Sequence, residues 1–399
     1  MDQIFTLLVL TVSSLNDINY HYLFHHYQNQ YNKTYALEEF NNRFEIFRDN
    51  VDFIFENNRL NKNYTLGINQ FADLTNQEFS KLHNKQYQKL FGKDCKPMDY
   101  RESSLPLEMD WREHDAVTPV KNQGQCGSCW SFSATGAMEG SNAIVNDNLI
   151  SLSEQQLVDC SKKYGNFGCN GGLMDNAFSY VEDNGLCSEE SYPYTASVGS
   201  CNSNSCSKVL NLKDCFDVPP NNELSLKEAV SKQPISVAIQ ADQKVFQFYT
   251  SGVITGDSCG TNLDHGVLTV GYGTDEELNV DYWLVKNSWG PTWGEDGYVR
   301  IERTDSTSSE GVCGIAMQPS YPVVSENLNS LEGNKCGDCG LSYQACCLGY
   351  GAKGYPCDCK LEEEGTGKIG NNCGTCGLEY QACCLGFKKK GYPCNCDIV

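Results

Sequence analysis

The chain has 399 residues, too many for one typical domain, and 40% of them are hydrophobic, so it is long enough to bury a substantial core. Its formal net charge of −21 at pH 7 argues against nucleic acid as a partner, because binding to phosphates needs clustered Lys and Arg. The 23 cysteines far exceed what is usual in cytosolic proteins and indicate an oxidising compartment.

The N-terminus carries a short apolar run, Ile4 to Val12, followed by two serines. The run is too short to span a bilayer, so we interpret residues 1–14 as a cleaved signal peptide, although Asp2 stands where such signals have Lys or Arg. No later run of about 20 apolar residues indicates a membrane anchor.

Residues 15–104 are polar and contain two spaced motifs. Six residues recur at steps of three or four, which places them on one stripe of a predicted helix: Glu39, Arg43, Phe47, Asn50, Ile54 and Asn58. A second motif follows at alternate positions: Gly67, Asn69, Phe71 and Asp73. By spacing alone, the first motif is an ordinary amphipathic helix and the second an ordinary turn. Two glycosylation sequons begin at Asn32 and Asn63.

A thiol stands where a central helix should begin. Cys129 precedes a helical pattern from Trp130 to about Asn146, so it would lie at the positive end of the helix dipole. That position, together with the imidazole of His265, would lower the thiol pKa and favour the reactive thiolate.

Two side-chain amides complete this predicted site. Asn287 would hold the His265 ring, with Trp289 shielding their hydrogen bond from water. Gln123 and the backbone N–H of Cys129 would donate to a tetrahedral oxyanion. Taken singly, each of these residues has an ordinary structural explanation; taken together, they predict nucleophilic catalysis by a cysteine.

The C-terminal segment is an internal repeat. The six-cysteine pattern of residues 336–359 recurs in residues 373–396, with linkers at 325–335 and 360–372. A unit this small cannot bury a core, so disulfides or a metal must hold it. We favour three disulfides per unit over zinc in a secreted chain whose repeats lack histidine, and the connectivity stays open.

The residues from about 20 to 324 resemble the papain/cathepsin L family of cysteine peptidases. The six-residue stripe matches the ERFNIN signature of papain-like proenzymes, and the motif at residues 67–73 matches the second motif of the same pro-regions. The resemblance implies an α+β fold with a helical lobe, a β-barrel-like lobe and a cleft between them. Residues 15–104 would form an α-helical inhibitory propeptide and residues 105–324 the peptidase domain.

The resemblance also implies how the propeptide acts. In this family it lies through the active-site cleft in the non-productive direction and is removed on activation, here near Ser104. We expect ionised Asp73 and a Glu39–Arg43 pair to hold it at neutral pH and to release it in acid.

Three disulfides carry over from the family by local motif. They pair Cys126 with Cys169, Cys160 with Cys201, and Cys259 with Cys313. An odd number of cysteines is then left in the peptidase domain, namely Cys187, Cys206 and Cys215, so that one would be free or would reach the tail. The partner of Cys95, in the propeptide, is left unassigned.

Substrate-binding positions carry over in the same way. Gly172 would pair with an extended peptide as an added strand. Apolar or small residues would line the S2 pocket, which predicts a bulky hydrophobic P2 residue, and Gln318 would stand at the end of the pocket and leave some polar tolerance. The full set of expected substrate-binding residues is Gly172, Leu173, Met174, Ala238, Leu263, Asp264, Gly266, Trp289 and Gln318.

The sequence therefore predicts a cysteine endopeptidase made as a zymogen, monomeric, without cofactor or metal, in lysosomes or outside the cell. Its expected partners are protein substrates and its own propeptide, and the tail would be a binding or targeting module of unknown partner. The alternatives are an extracellular binding or signalling protein that uses the protease domain as a scaffold, and a protease-like pseudoenzyme. The intact catalytic positions favour the active protease.

Overall fold

The computed structural model describes residues 19–60, 62–83, 95–99 and 105–326, which belong to one unit of the chain ending at residue 326. The predicted signal peptide, the proposed junction near Ser104 and both cysteine-rich repeats lie outside the described residues. Within the described part, no helix is long and apolar enough to cross a membrane.

Two crossing helices, α1 (Tyr20–Gln30) and α2 (Leu37–Asn58), form the propeptide core. Aromatic rings fill their interface, with Phe24 centred 5.1 Å from Phe47. The predicted stripe runs along α2 and is buried at Phe47, Asn50 and Ile54 but exposed at Glu39, as expected of an amphipathic helix whose first turn reaches solvent.

The rest of the described propeptide consists of strand β1 (Tyr64–Leu66), helix α3 (Asn76–His83) and strand β2 (Lys96–Pro97). The two sequon asparagines flank this core: Asn32 is exposed beyond α1, and Asn63 is half-buried before β1.

Helices build one half of the peptidase domain, around α4 (Cys129–Asn146). Most of α4 is buried, and two glycines let it approach its neighbours closely: a Cβ on Gly136 would lie 2.7 Å from Leu268, and one on Gly140 would lie 2.5 Å from Pro234. The other helices of the domain are α5 (Glu154–Cys160), α6 (Met174–Asn184), α7 (Glu223–Val230) and α8 (Lys244–Phe248). Short 3₁₀ turns are Trp111–His114, Ser161–Tyr164, Ser203–Ser205, Gly256–Ser258 and Val312–Gly314.

Strands build the other half. They are β3 (Met109–Asp110), β4 (Leu186–Cys187), β5 (Lys208–Leu210), β6 (Leu212–Asp217), β7 (Ile235–Ile239), β8 (Tyr249–Ile254), β9 (His265–Asp275), β10 (Val280–Lys286), β11 (Tyr298–Glu302) and β12 (Ser320–Val324). The main sheet has the order β1-β8-β11-β10-β9-β7-β12-β6-β2, with β3 beside β9, and β4 pairs with β5 separately. The propeptide strands β1 and β2 therefore stand at the two ends of the peptidase sheet.

Five disulfides join the described residues. The three pairs that the resemblance implied are present: Cys126–Cys169, Cys160–Cys201 and Cys259–Cys313. The remaining pairs are Cys187–Cys206 and Cys95–Cys215. The expectation that one leftover cysteine is free or reaches the tail is wrong, because Cys215 pairs across 120 residues with Cys95 of the propeptide.

Candidate active site

The thiol of Cys129 lies at the first residue of α4 and is 1% exposed. Cys129 is the cysteine of the described residues that forms no disulfide. The loop before it is anchored by the Cys126–Cys169 disulfide and by the Gly127 N–H, which donates to the Cys169 carbonyl over 3.0 Å. The helix N-terminus places backbone N–H groups and positive potential beside the sulfur, as the sequence predicted.

The imidazole of His265 stands at the start of β9 and is fully buried. Its Nε2–H donates to Asn287 Oδ1 over 2.8 Å, and its ring stacks on Trp289 with centroids 4.7 Å apart. The other ring nitrogen, Nδ1, has no hydrogen-bond partner among the described residues and is left for proton transfer. Burial lowers the pKa of His265 to about 4, while the hydrogen bond with Asn287 acts in the opposite direction.

The carboxamide of Gln123 is buried and held at both of its ends. Its Oε1 accepts from Ser288 Oγ over 2.7 Å, and its Nε2 donates to the Cys126 carbonyl over 2.9 Å. The Ser288 N–H in turn donates to Asn287 Oδ1, so one short segment orients both the histidine partner and the glutamine.

Most of the residues expected to bind substrate are buried, and Gly172 is half-buried. A Cβ on Gly172 would lie 2.5 Å from Asn166 Oδ1 and 2.7 Å from the Trp130 ring, so only glycine fits there. Met174, Ala238 and Leu263 belong to one cluster of packed apolar side chains. Leu173, the residue before Met174, is also buried. Gln318 is exposed. Burial of Asp264 raises its carboxyl pKa to about 7. A hydrogen bond from the Ala241 N–H acts in the opposite direction.

The second propeptide motif packs directly on the active-site tryptophan. Phe71 and Phe79 meet the Trp289 ring edge-on, at 5.8 and 5.2 Å between centroids. Gln70 donates to the Trp289 carbonyl over 2.7 Å, and Asn69 donates to the Gln247 carbonyl over 2.7 Å. The propeptide therefore covers one side of the site with both apolar and hydrogen-bonded contacts.

The helical motif of α2 holds this covering segment in shape. Asn50 donates to the carbonyls of Ala72 and Leu74, and Asn58 makes a reciprocal pair of bonds with the backbone of Leu66. These side-chain amides bond backbone groups of residues 66–74, a segment that lies almost entirely outside helices and strands.

We expected Arg43 to pair with Glu39, but it does not. Its guanidinium donates to the Asp73 carbonyl and to Glu78 of α3, each over 3.0 Å, whereas Glu39 lies exposed on α2. This bond joins α2 to α3, a partner that spacing within α2 does not reveal. Asp73 accepts from Tyr27, Lys33 and Tyr35 over 2.6, 2.9 and 2.9 Å.

Comparisons with known proteins show the family of this chain. The model of the papain family cysteine proteases matches residues 105–323, and that of the cathepsin propeptide inhibitor domain (I29) matches residues 24–79. The chain belongs to the papain family of cysteine proteases. It is an enzyme of the hydrolase class made with an inhibitory propeptide, and the predicted two-lobed α+β fold is confirmed.

Individual relatives span most of this protease. Germination-specific cysteine protease 1 of Arabidopsis thaliana is 47% identical over 317 residues, which are 76% of this chain and 82% of that protein. The probable cysteine protease RD21C of the same plant is 46% identical over 347 residues, covering 83% and 76%. Among solved structures, the proform of the ragweed pollen allergen Amb a 11, a cysteine protease, has a TM-score of 0.72 at 41% identity and covers 78% of this chain and 97% of its own. Digestive procathepsin L 3 of Tenebrio molitor has a TM-score of 0.68 at 41% identity, covering 77% and 99%.

The structure of the protease also reveals site residues that we did not predict. Ser288 orients Gln123, and the hydroxyl of Tyr194 donates to the Gln123 carbonyl over 2.8 Å. Met317 packs against the apolar cluster that contains Leu263. Ser288 lies between Asn287 and Trp289, both predicted site residues, so its position was a usable signal, whereas Tyr194 and Met317 do not lie between two such residues.

A buried cluster of charges lies behind the site and was also missed. Lys121 forms ion pairs with Glu139 and Glu154 at 2.8 and 2.6 Å, beside a small cavity that Asn287 also lines. Lys286 precedes Asn287 and donates to the Thr118 carbonyl over 2.6 Å, and burial lowers its pKa to about 8. Thr118 in turn donates to Glu139, so these contacts link the middle of α4 to the end of β10.

Proposed function

We propose that this protease hydrolyses peptide bonds through a Cys129 thiolate and a His265 imidazolium, the negative charge of the thiolate stabilising the proton on a ring whose pKa burial alone lowers. The observation that carries the proposal is that Cys129, at the start of α4, forms no disulfide, together with a histidine whose Nε2–H is held by Asn287 and whose Nδ1 is unpartnered among the described residues. The sulfur attacks the scissile carbonyl, and His265 then gives its proton to the leaving amine. Water subsequently attacks the acyl-enzyme with His265 as the base.

The oxyanion of the tetrahedral intermediate receives donors from Gln123 and from the Cys129 backbone N–H. A carboxamide nitrogen carries two N–H groups, so its bond to the Cys126 carbonyl leaves a second donor for the substrate. Ser288 fixes the plane of that amide in advance, and a preorganised donor of this kind is worth about 3–4 kcal/mol in the transition state.

We also propose endopeptidase action with a bulky hydrophobic residue at P2. The supporting observation is the apolar packing of Met174, Ala238 and Leu263 beside the closely approached Gly172. The oxidising environment that the cysteines require favours a lysosomal or extracellular site of action for a monomeric enzyme, with the signal peptide and the glycans on Asn32 and Asn63 as part of the same proposal. The cysteine-rich tail would be a binding or targeting module, which brings the enzyme to a partner or a location.

The test is activation of the recombinant zymogen in acid with a reducing agent, followed by cleavage of a peptide library. We expect the wild-type protein to shorten by the mass of its propeptide and to cleave after a residue that follows a hydrophobic P2. The Cys129→Ala variant should stay intact and inactive. Cleavage by Cys129→Ala equal to that of the wild type would overturn the mechanism and favour a scaffold role for this domain.

A further inference from the structure

The disulfide between Cys95 and Cys215 joins the propeptide to the peptidase domain. The proposed processing junction near residue 104 lies between these two cysteines in sequence. A cut at the junction therefore breaks the backbone but leaves the two parts bonded through sulfur.

Besides the disulfide, backbone and side-chain contacts hold the segment that carries Cys95 against the peptidase domain. Strand β2 runs parallel to β6 at the end of the sheet, with Lys96 opposite Phe216. The Met98 N–H donates to the Asp217 carbonyl over 2.8 Å, and Lys96 forms an ion pair with Asp214. The side chain of Met98 is buried in the same hydrophobic cluster as residues of the peptidase domain.

We propose that release of the inhibitory propeptide requires two events, cleavage near residue 104 and reduction of the Cys95–Cys215 disulfide by a dithiol. The proposal rests on the junction assigned with the proposed function. After cleavage alone, the propeptide stays attached to the domain it inhibits, so the enzyme is nicked but still covered. The disulfide thereby adds a redox condition to a zymogen whose other contacts respond to pH.

The tether matters because it makes rebinding intramolecular. Only residues 84–94 separate Cys95 from α3, which carries Phe79 against Trp289. A short connection gives an effective concentration on the order of millimolar, so contacts that acid has weakened still re-form while the bond is intact. Once the bond is reduced, dilution makes dissociation permanent.

The reaction is a thiol–disulfide exchange. A thiolate of the dithiol attacks one sulfur of the Cys95–Cys215 bond, and the other cysteine leaves as a thiolate and takes up a proton. The second sulfur of the dithiol then displaces the protein from the mixed disulfide. Two electrons pass to the protein, the dithiol becomes a cyclic disulfide, and both cysteines end as thiols.

Burial sets the order of the two events. Cys95 is 5% exposed and Cys215 is 1% exposed, and attack on a disulfide needs access to a sulfur atom. In the intact chain the backbone continues from β2 in both directions, whereas a cut near residue 104 leaves it joined on one side only, which should let this short edge strand open. Reduction should therefore be fast only after cleavage.

The experiment uses the full-length Cys129→Ala protein, which cannot process itself, and a glutamyl endopeptidase. This enzyme cuts after Glu102, between Cys95 and the peptidase domain, and residues 84–94 contain no glutamate that would let it cut the tether. The nicked protein is treated with or without dithiothreitol at about pH 8, where its thiolate is present, shifted to acid and separated by size. We expect the propeptide to co-elute with the peptidase domain until dithiothreitol is added.

The matched control carries Cys95→Ser and Cys215→Ser in the same Cys129→Ala background. Its nicked form should lose the propeptide in acid without dithiothreitol, and dithiothreitol should change nothing further, which excludes effects of the other disulfides. If this variant does not fold, non-reducing peptide mapping of the parent must show the linked Cys95 and Cys215 peptides. Separation of the nicked parent without reductant, or alkylation of both cysteines before reduction, overturns the proposal. Because the cut is made by an added enzyme, a failure of the Cys129 mechanism would leave this result unaffected.

Discussion

The amide of Gln123 illustrates how individual residues are placed for chemistry in this protease. Its oxygen is occupied by Ser288, so the amide cannot flip, and its nitrogen must face the loop that leads to Cys129. The same Ser288 contacts Asn287 through its backbone, which links the oxyanion donor to the partner of His265. A hydroxyl between two catalytic amides is therefore a positioning group for both.

Replacing Gln123 by Ala should lower kcat about 10²- to 10³-fold, because one oxyanion donor is removed. Ser288→Ala should have a smaller effect, about tenfold, since the donor remains but its orientation is no longer fixed. Steady-state kinetics on one hydrophobic-P2 peptide, normalised by titration of the Cys129 thiol, measure both values. A Ser288→Ala loss as large as that of Gln123→Ala would show that the serine does more than orient the glutamine.

Gln318 is the residue at which we expect the P2 preference to change. Its exposed side chain is neutral, and Gln318→Glu would put a carboxylate at the proposed end of the S2 pocket, where it attracts a P2 arginine. The expected result is a gain in kcat/KM for Arg over Leu at P2, weakened by added salt. Gln233→Glu, a change of the same kind at a position that bonds the Pro322 carbonyl, serves as control. No gain for Gln318→Glu would refute the placement of Gln318.

Helix α2 acts as an element that shapes the covering segment of the propeptide. Its amides satisfy the carbonyls of residues 66, 72 and 74, and Arg43 satisfies that of residue 73. The segment has little regular structure of its own, so side chains replace the ladder that a sheet would supply. The six-residue motif thus couples a helix to the residues that press on Trp289.

Asn50→Ala should reduce the stability of the docked propeptide by about 1–3 kcal/mol, because the buried Ala72 carbonyl loses its donor and the Leu74 carbonyl keeps only the bond from Gln247. The matched control is Asn42→Ala, the same substitution at an exposed position of the same helix. Thermal unfolding in the Cys129→Ala background compares the two. Equal melting temperatures for both variants would contradict the role given to Asn50.

At the scale of the whole molecule, the propeptide and the peptidase domain share one structure rather than touching at a small patch. Strand β1 extends the sheet at β8, and strand β2 extends it at β6. One cluster of buried apolar residues contains both Phe47 of α2 and Trp293 of the peptidase domain. Loss of the propeptide therefore uncovers both sheet edges and part of a core. Its release must break strand pairing as well as apolar contacts.

Acid should weaken this structure partly through Glu78. Burial opposes ionisation of Glu78, but hydrogen bonds from Arg43 and Thr75 prevail and lower its carboxyl pKa. A group whose pKa is lowered by folding stabilises the fold above its unfolded pKa, near ~4.3, and this stabilisation is lost as pH falls through the folded value. The melting temperature of the Cys129→Ala protein should therefore exceed that of a Cys129→Ala/Glu78→Gln protein at pH 7, and the difference should shrink towards zero in strong acid.

The control for this titration is Glu45→Gln, which removes an exposed carboxylate that pairs with Arg48 on the surface of α2. Surface pairs contribute little, so its melting temperature should stay close to that of the parent at every pH. A difference between parent and Glu78→Gln that does not change with pH would rule out the proposed acid sensitivity at Glu78.

Much of this protease is predictable from short stretches of sequence, because these carry their own geometry. The residues before Cys129 predict a helix start, and α4 begins at that residue. The spacing of the propeptide stripe predicts the buried face of α2, where a period near 3.6 leaves few alternatives. The odd number of leftover cysteines in the peptidase domain, together with Cys95 alone in the propeptide, was a further signal of the pairing that the structure shows, and we did not use it.

By itself, then, the sequence determined the family, the chemical type of the site and the stripe that α2 buries, since each depends on residues close together in the chain. Only the tertiary structure decided that Arg43 pairs with Glu78, that Ser288 orients Gln123 and that Cys95 bonds to Cys215. Each of these contacts joins segments far apart in sequence, and which side chains meet there depends on how helices and strand edges pack. A motif specifies a local backbone and its chemistry, whereas a long-range partner is chosen by the geometry of the whole fold.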